Sequence, residues 1–487
     1  MTPEPDEPLP DESDPEGAGP DDPTRGVFCN RTLNLRAVRA IGYDMDYTLV
    51  HYHVDAWEEA AFAAARAGLA ELGWPVEGLR FDPGAFTLGL TFDLELGNLV
   101  KATRFGYVVR ATHGRRRLGF DEQRAVYSGT VIDLSEPRYE FMNTLFELSR
   151  AALWTQLVEL HDHEPLPGVR SYGQLYRHID EALNAAHLRG DLKARILADP
   201  ERFVDPDPDI VSTLTDQRLA GKKLLLVTNS DWDYTRRVMA HAVDPFCPPG
   251  STWRDLFDVV IVSADKPRFF STAAPLYQVV DEDRSLLRPH RGPLEAGRVF
   301  FGGNARLIEE SLGLSSSQLL YVGDHLFGDV HVTKDVLRWR TALIARELEA
   351  EIRAAAAFAD DEVRLARLMA SKVELERRLA RLRMRRRRHP DAWGADDEER
   401  LTEVSARAAA LDEEIAPLAR AAAELGNPHW GPLMRAGVDK SLFARQVERY
   451  ADVYTSRVSN LGRETPYAYL RAARGSLPHD AALAAGP

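Results

Sequence analysis

Four short apolar runs, each ending abruptly in polar residues, constrain the fold of this chain more than any other feature. They are Val38-Arg39-Ala40-Ile41-Gly42-Tyr43, Leu224-Leu225-Leu226-Val227, Val259-Val260-Ile261-Val262 and Leu319-Leu320-Tyr321-Val322. Runs of this length, rich in β-branched and aliphatic residues, read as strands covered on both faces, the pattern of a parallel sheet between helices. Open α/β sheets bind ligands outside the carboxyl ends of such strands, so the residues that follow each run are the candidate site. Those residues are Asp44-Met45-Asp46-Tyr47-Thr48-Leu49, Thr228-Asn229-Ser230, Ser263-Ala264-Asp265-Lys266 and Gly323-Asp324-His325-Leu326-Phe327-Gly328-Asp329.

Read as chemistry, the four segments complement one another. Asp44 and Asp46 stand two residues apart where a strand becomes a loop, so one carboxylate can attack an electrophile while the other moves a proton. Thr228 and Asn229, with the backbone N–H groups beside them, can bind phosphate oxygens without adding charge. Lys266 places a cation just past a strand end. Asp324 and Asp329 suit a Mg²⁺ site built from oxygen ligands. An isolated Asp-x-Asp is usually a solvated turn, and a strand that ends in polar residues is ordinary. The ordered set points to phosphoryl transfer.

That set resembles the haloacid dehalogenase superfamily of phosphatases, and within it the cytosolic purine 5′-nucleotidases and their 5′-nucleotidase domain-containing relatives. The resemblance runs from about Val27 to His479 and includes Asn30-Arg31-Thr32-Leu33, Asn143-Thr144-Leu145-Phe146, Gly292-Pro293-Leu294 and Arg449-Tyr450-Ala451-Asp452. It implies a Rossmann-like α/β core with a large inserted cap and a helical C-terminal extension. Asp44 would be the nucleophile that forms an aspartyl-phosphate, and Asp46 the acid and base. Thr228, Asn229 and Lys266 would hold the phosphoryl oxygens. Mg²⁺ would be bound by Asp44, the Asp46 main-chain carbonyl and Asp324, with Asp329 supporting the site. A carboxylate cannot approach a phosphate dianion without such cations to offset the repulsion.

The resemblance is partial in the cap, where the substrate would be read. Phe146 and His187 fall where the purine enzyme sandwiches its base, and Lys193 matches a basic residue that faces the phosphate. Asp180, Asn184 and Leu188 stand where the family has arginine, aspartate and tyrosine. A carboxylate in place of a guanidinium reverses both charge and hydrogen-bond polarity, so purine recognition is not inherited directly. Arg177, one turn from Asp180, is a possible substitute; the plain alternative is that Phe146 and His187 are cap core. Asn143, Phe327, Gln446, Arg449 and Tyr450 resemble parts of a nucleotide-effector site. Asp133 and Asp335 stand at its two basic positions, which argues against effector phosphates there.

The expected organisation follows. Residues 1–26 form a disordered acidic tail, 27–52 and 207–346 the core, and 53–206 the inserted cap, with strands within 92–127 and helices over 139–161 and 174–189. Residues 347–425 form a helical hairpin broken at His389-Pro390-Asp391, 426–480 pack on the core, and 481–487 are a tail. A length of 487 residues accommodates these units. The net charge of −14 argues against a nucleic-acid binder, although Arg385-Arg386-Arg387-Arg388 make a local basic run at the hairpin tip. Cys29 and Cys247 are the only cysteines, too few for a disulfide framework or a thiolate zinc site. His51 and His53 alternate after the first motif without a third ligand and read as packing or hinge residues. No leader pattern and no run of about 20 apolar residues is present, which reads as a cytoplasmic protein with no membrane span. The expected activity is Mg²⁺-dependent hydrolysis of a small phosphorylated substrate, foremost a nucleoside 5′-monophosphate, by a homo-oligomer (dimer or tetramer). A phosphatase or phosphotransferase for another phosphomonoester and a low-turnover scaffold are the alternatives.

Overall fold

The computed structural model of the chain describes residues 22–188 and 190–473; the side chains of 187, 188 and 191 lie outside that set. The four apolar runs lie side by side in one ten-stranded sheet. Its order is Val27–Cys29, Val453–Thr455, Arg340–Ile344, Leu319–Gly323, Ala40–Tyr43, Lys223–Val227, Val259–Val262, Arg298–Gly302, Leu276–Asp281 and Leu286–Pro289. From Val453–Thr455 through Arg298–Gly302 every neighbouring pair is parallel, and the pairings outside that block are antiparallel. The central strands are buried along almost their whole length, as their unbroken apolar character requires. Ala40–Tyr43 sits between Leu319–Gly323 and Lys223–Val227. The chain winds away from it in both directions, and ligand crevices open at such a switch point.

The cap leaves and rejoins the core through a two-stranded hinge, with Tyr52 opposite Val204 and His51 opposite Asp205. His51 is buried in this hinge. The cap consists of a five-stranded antiparallel sheet, in the order Arg116–Arg117, Val108–His113, Asn98–Ala102, Thr91–Asp93 and Tyr139–Phe141. The helices Val54–Glu71, Leu148–His163 and Tyr172–Leu188 pack together beside it.

Several expected boundaries move. Tyr139–Phe141 is a strand, not the start of a helix: Tyr139 and Phe141 point inward while Glu140 faces out, and the helix begins at Leu148. Residues 22–26 are not a free tail, because Pro23–Arg25 forms a 3₁₀ turn capped by Asp22, with Thr24 buried. Residues 1–21 of the expected tail, and 474–487, lie outside the described residues. The helical extension breaks at Phe358 into Leu348–Ala357 and Ala359–Arg388 before pairing with Ala395–Glu424. A small apolar seam of Leu375, Leu379 and Ala408 joins the two long helices. The segment after residue 426 does more than pack on the core, since Val453–Thr455 enters the central sheet and pairs with Ala342–Ile344. No helix among the described residues is long and apolar enough to cross a membrane.

Candidate active site

Each motif begins where its strand ends, and backbone hydrogen bonds tie the loops together. Asp44 N–H donates to the Val322 carbonyl, and Thr228 N–H to that of Ile261. Ala264 N–H donates to the Thr228 carbonyl, and Ser263 N–H to that of Ser230. The carboxylates of Asp44, Asp324 and Asp329 offer ligand atoms that all lie within 4.8 Å of one another. Lys266 Nζ lies 2.7 Å from Asp44 Oδ1 and 2.9 Å from Asp329 Oδ1, with 5% of its side chain exposed. Its ammonium also donates to Tyr321 Oη at 3.2 Å. Gly323 is required here, because a Cβ at that position would lie 2.5 Å from Asp329 Oδ2.

The electrostatics of this cluster favour a divalent cation. Burial pushes the Asp324 carboxyl well above its ordinary range, and repulsion from Asp44 and Asp329 adds to the effect. Burial raises Asp44 to about 6, with Lys266 holding it down and Asp329 pushing it up. Burial alone would lower Lys266, but the charges of Asp329 and Asp44 hold it well above its ordinary value. One ammonium thus faces three converging acids. Buried oxygen ligands with surplus negative charge fit Mg²⁺.

Asp46 is set apart from this cluster. Tyr52 Oη donates to its Oδ1 at 2.5 Å and Ser230 Oγ to its Oδ2 at 2.8 Å. Burial raises its carboxyl, and the charge of Asp44 raises it further. Two acids only two residues apart therefore occupy different environments, the condition under which they can take different roles.

Other expected contacts are arranged differently. Both ends of the Asn229 amide grip the backbone of Lys266: Lys266 N–H donates to Oδ1 at 2.6 Å and Nδ2 donates to the Lys266 carbonyl at 3.0 Å. Asn229 therefore positions the lysine. Thr228 is buried, and its Oγ1 accepts from Ser230 N–H at 3.0 Å without reaching the cavity wall. The Lys193 ammonium is held by Asp231 at 3.1 Å and lies over the Tyr234 ring, bridging cap to core instead of lining the cavity. His187 falls on the last turn of the helix Tyr172–Leu188, and its side chain lies outside the described residues. His325 caps the fourth-motif loop by accepting Gly328 N–H on Nδ1 at 2.7 Å.

The acids open into a cavity of about 380 Å³. Its core wall carries Asp44, Asp46, Lys266, Asp324 and Asp329; its cap wall includes Thr144, Phe146, Glu147, Arg150, Leu183 and Asn184. Phe146 is half-buried, edge-to-face with Tyr47 and Trp57. Asp180 accepts from Arg150 at 2.7 Å, and the same guanidinium reaches Glu147 at 2.6 Å. Arg177 lines a different surface hollow. Tyr52, Glu147 and Arg150 were not singled out by sequence, and Thr144 entered only within Asn143-Thr144-Leu145-Phe146; Phe146 lies on the 3₁₀ turn Leu145–Glu147 and Arg150 in the first turn of the helix that follows. At the expected effector position, Phe327, His331 and Tyr450 pack ring against ring, Asn143 Oδ1 accepts Phe327 N–H, and Asp335 pairs with His331. These residues join the helix Leu442–Tyr450 to the core.

The chain is similar to known proteins along most of its length. The 5′-nucleotidase domain-containing protein 2 of Rattus norvegicus is 29% identical over 449 residues, covering 89% of this chain and 76% of its own. The protein of the same description from Homo sapiens is 29% identical over 449 residues, covering 89% of this chain and 81% of its own. A haloacid dehalogenase-like family hydrolase of known structure from Xanthomonas campestris overlays with a TM-score of 0.24 and 12% identity, covering 63% of this chain and 82% of its own. Residues 27–482 match the 5′ nucleotidase family as a whole. With nearly its full length accounted for in this way, the chain belongs to the 5′-nucleotidase family.

Proposed function

We propose that this phosphomonoesterase is a Mg²⁺-dependent 5′-nucleotidase that works through an aspartyl-phosphate on Asp44. The observation that carries the reading is the division of labour between the two acids of the first motif. Asp44 is paired with Lys266 at 2.7 Å, whereas Asp46 is held by the neutral donors Tyr52 and Ser230. Asp44 Oδ1 receives both Lys266 Nζ and Met45 N–H, which leaves Oδ2 as the attacking oxygen.

In the first step the Asp44 Oδ2–P bond forms as the P–O bond to the leaving alcohol breaks, and Asp46 delivers its proton to that alcohol oxygen. In the second, Asp46 takes a proton from water, the water oxygen bonds to phosphorus and the Asp44–P bond breaks. Lys266 stays beside the nucleophile throughout, fixed by the Asn229 clamp on its backbone and by Tyr321. Asp44, Asp324 and Asp329 would hold a Mg²⁺ ion, which would supply positive charge to offset the phosphate dianion. Phe146 and the polar groups of the cap wall face the rest of the substrate, which the reading takes to be a nucleoside.

Phosphate release with Mg²⁺ across nucleoside monophosphates and sugar phosphates tests the assignment. Release from nucleotides by the wild type, reduced at least about 10³-fold in Asp44→Asn, is expected. Release that survives Asp44→Asn removes the covalent mechanism, and equal activity on sugar phosphates removes the nucleotide preference.

A further inference from the structure

The cap wall opposite the acids carries a feature that neither the phosphatase chemistry nor the family relationship requires. Arg150, on the helix Leu148–His163, is the one cationic side chain on that wall of the cavity among the described residues. It is nearly buried, with 14% of its side chain exposed, and it is held from three sides. Its Nη1 donates to Glu147 Oε1 at 2.6 Å and to Tyr176 Oη at 3.3 Å, and its Nη2 donates to Asp180 Oδ1 at 2.7 Å. The other Asp180 oxygen accepts from Asn184 Nδ2 at 3.0 Å, so the Asn184 carboxamide is oriented by the same carboxylate.

This group is wired to the acid cluster. Glu147 Oε2 accepts the N–H of Asn143 at 2.6 Å and of Thr144 at 3.4 Å, which fixes the turn that bears Phe146. Thr144 Oγ1 donates to Asp324 Oδ2 at 3.1 Å. One hydrogen-bonded chain therefore runs Asp324–Thr144–Glu147–Arg150–Asp180–Asn184, from a metal-ligand candidate to Asn184 on the cap wall of the cavity.

We propose that Arg150 determines specificity: its guanidinium donates to an uncharged hydrogen-bond acceptor at the end of the substrate remote from the phosphate. The assignment deepens the phosphomonoesterase reading above and rests on it. A planar fork held by Glu147, Tyr176 and Asp180 keeps the second Nη2 N–H for a ligand and loses little freedom on binding it. Its positive charge is already matched by two carboxylates, which leaves that end of the cavity net negative. A neutral carbonyl is accepted there, and a second anionic group is turned away. The sequence position of Asp180, where a carboxylate replaces a guanidinium, is thereby explained: the guanidinium comes from the neighbouring helix and Asp180 holds it.

The test is equilibrium binding with Mg²⁺, on the full chain carrying Asp44→Asn so that no turnover intervenes, alongside phosphate release by the wild type. The probes are uridine 5′-monophosphate, orotidine 5′-monophosphate (the same base with an added carboxylate) and phenyl phosphate, whose ring has no acceptor. Arg150→Ala is expected to weaken uridine 5′-monophosphate by about 10- to 100-fold more than it weakens phenyl phosphate. Arg150→Lys, which keeps the charge and the fold but loses the fork, gives a loss in the same direction and covers the case in which Arg150→Ala does not fold. The unsubstituted cap prefers the uridine over the orotidine nucleotide at least about tenfold, and isosteric Asp180→Asn narrows that preference. Equal losses for uridine 5′-monophosphate and phenyl phosphate would reduce Arg150 to a structural role and overturn the proposal, as would a preference that Asp180→Asn leaves intact. Absence of phosphate release from every probe by the wild type would instead overturn the phosphomonoesterase reading.

Discussion

Replacing Lys266 with Met tests the electrostatic logic of the site most directly. The ammonium makes two short ion pairs, at 2.7 Å to Asp44 and 2.9 Å to Asp329, in surroundings where all three side chains are largely buried. Removing one partner of a buried pair leaves uncompensated charge and costs roughly 3–5 kcal/mol. Here the loss falls on two carboxylates at once, while Met preserves most of the side-chain volume. Without divalent cation, the variant should therefore melt well below wild type, and added Mg²⁺ should raise its melting temperature by more than it raises that of the wild type. Activity should fall further than stability, because the same ammonium stands beside Asp44, the carboxylate proposed to attack the substrate. Loss of one preorganised donor of this kind costs about 10²–10³ in kcat. The assays are thermal melts with chelator or Mg²⁺ and phosphate release at saturating nucleotide. Retention of more than a tenth of wild-type activity, or an identical Mg²⁺-induced shift in both proteins, would refute the reasoning.

Two further outcomes follow from buried carboxylates outside the cavity. Burial pushes Glu58 up to about 7 from its ordinary 4.5, with the Ser149 N–H bond at 2.6 Å offsetting only part of the effect. Folding then takes up a proton between those values, so the contribution of Glu58 is fully present below pH 4.5 and lost as pH rises through 7. Glu58→Gln should leave stability unchanged near pH 4 and raise it by up to about 3 kcal/mol at pH 8; denaturant melts at the two pH values that differ from wild type equally would exclude this. Asp452 has no exposed side-chain surface and is gripped by Lys334 through both oxygens at 2.6 Å, with Arg340 at 3.7 Å and Arg31 at 3.9 Å. Asp452→Asn should cost about 3–5 kcal/mol in chemical denaturation while phosphate release by the folded protein persists, and an unchanged denaturation midpoint would show that the cations are satisfied elsewhere.

Three side chains show how the cap and core become one device. Thr144 belongs to the cap yet donates to Asp324 of the core. Lys193 belongs to the cap yet pairs with Asp231, which caps the core helix Trp232–Val243. Tyr52 lies in the hinge strand itself and donates to Asp46. Rotation of the cap about that strand pair would therefore disturb Asp46, a metal-ligand candidate and the Lys193 bridge together. Under the proposed function, a substrate filling the cap wall would be coupled to Asp324 through the Thr144 hydrogen bond, so binding energy from its remote end would act on the reacting end.

The parts of this arrangement that were legible in the sequence share one physical property: they are fixed by local chain direction. A strand buried on both faces announces itself by continuous hydrophobicity, and the residue after its last apolar position must emerge at the sheet edge. Asp44, Asp324 and Lys266 could therefore be placed on one crevice before any contact was known. What the sequence did not disclose depends on pairing across long separations. Tyr139–Phe141 becomes a strand only because Thr91–Asp93 presents an edge to it. Asn229, which lines the cavity, also clamps the lysine backbone only because the loop 37 residues later folds beneath it. Lys193 finds Asp231 before it finds a phosphate, since a carboxylate on a helix N-terminus was already within reach. Arg150 is the sharpest case. Nothing in its local sequence marks it, since its partner Asp180 lies 30 residues on, in another helix.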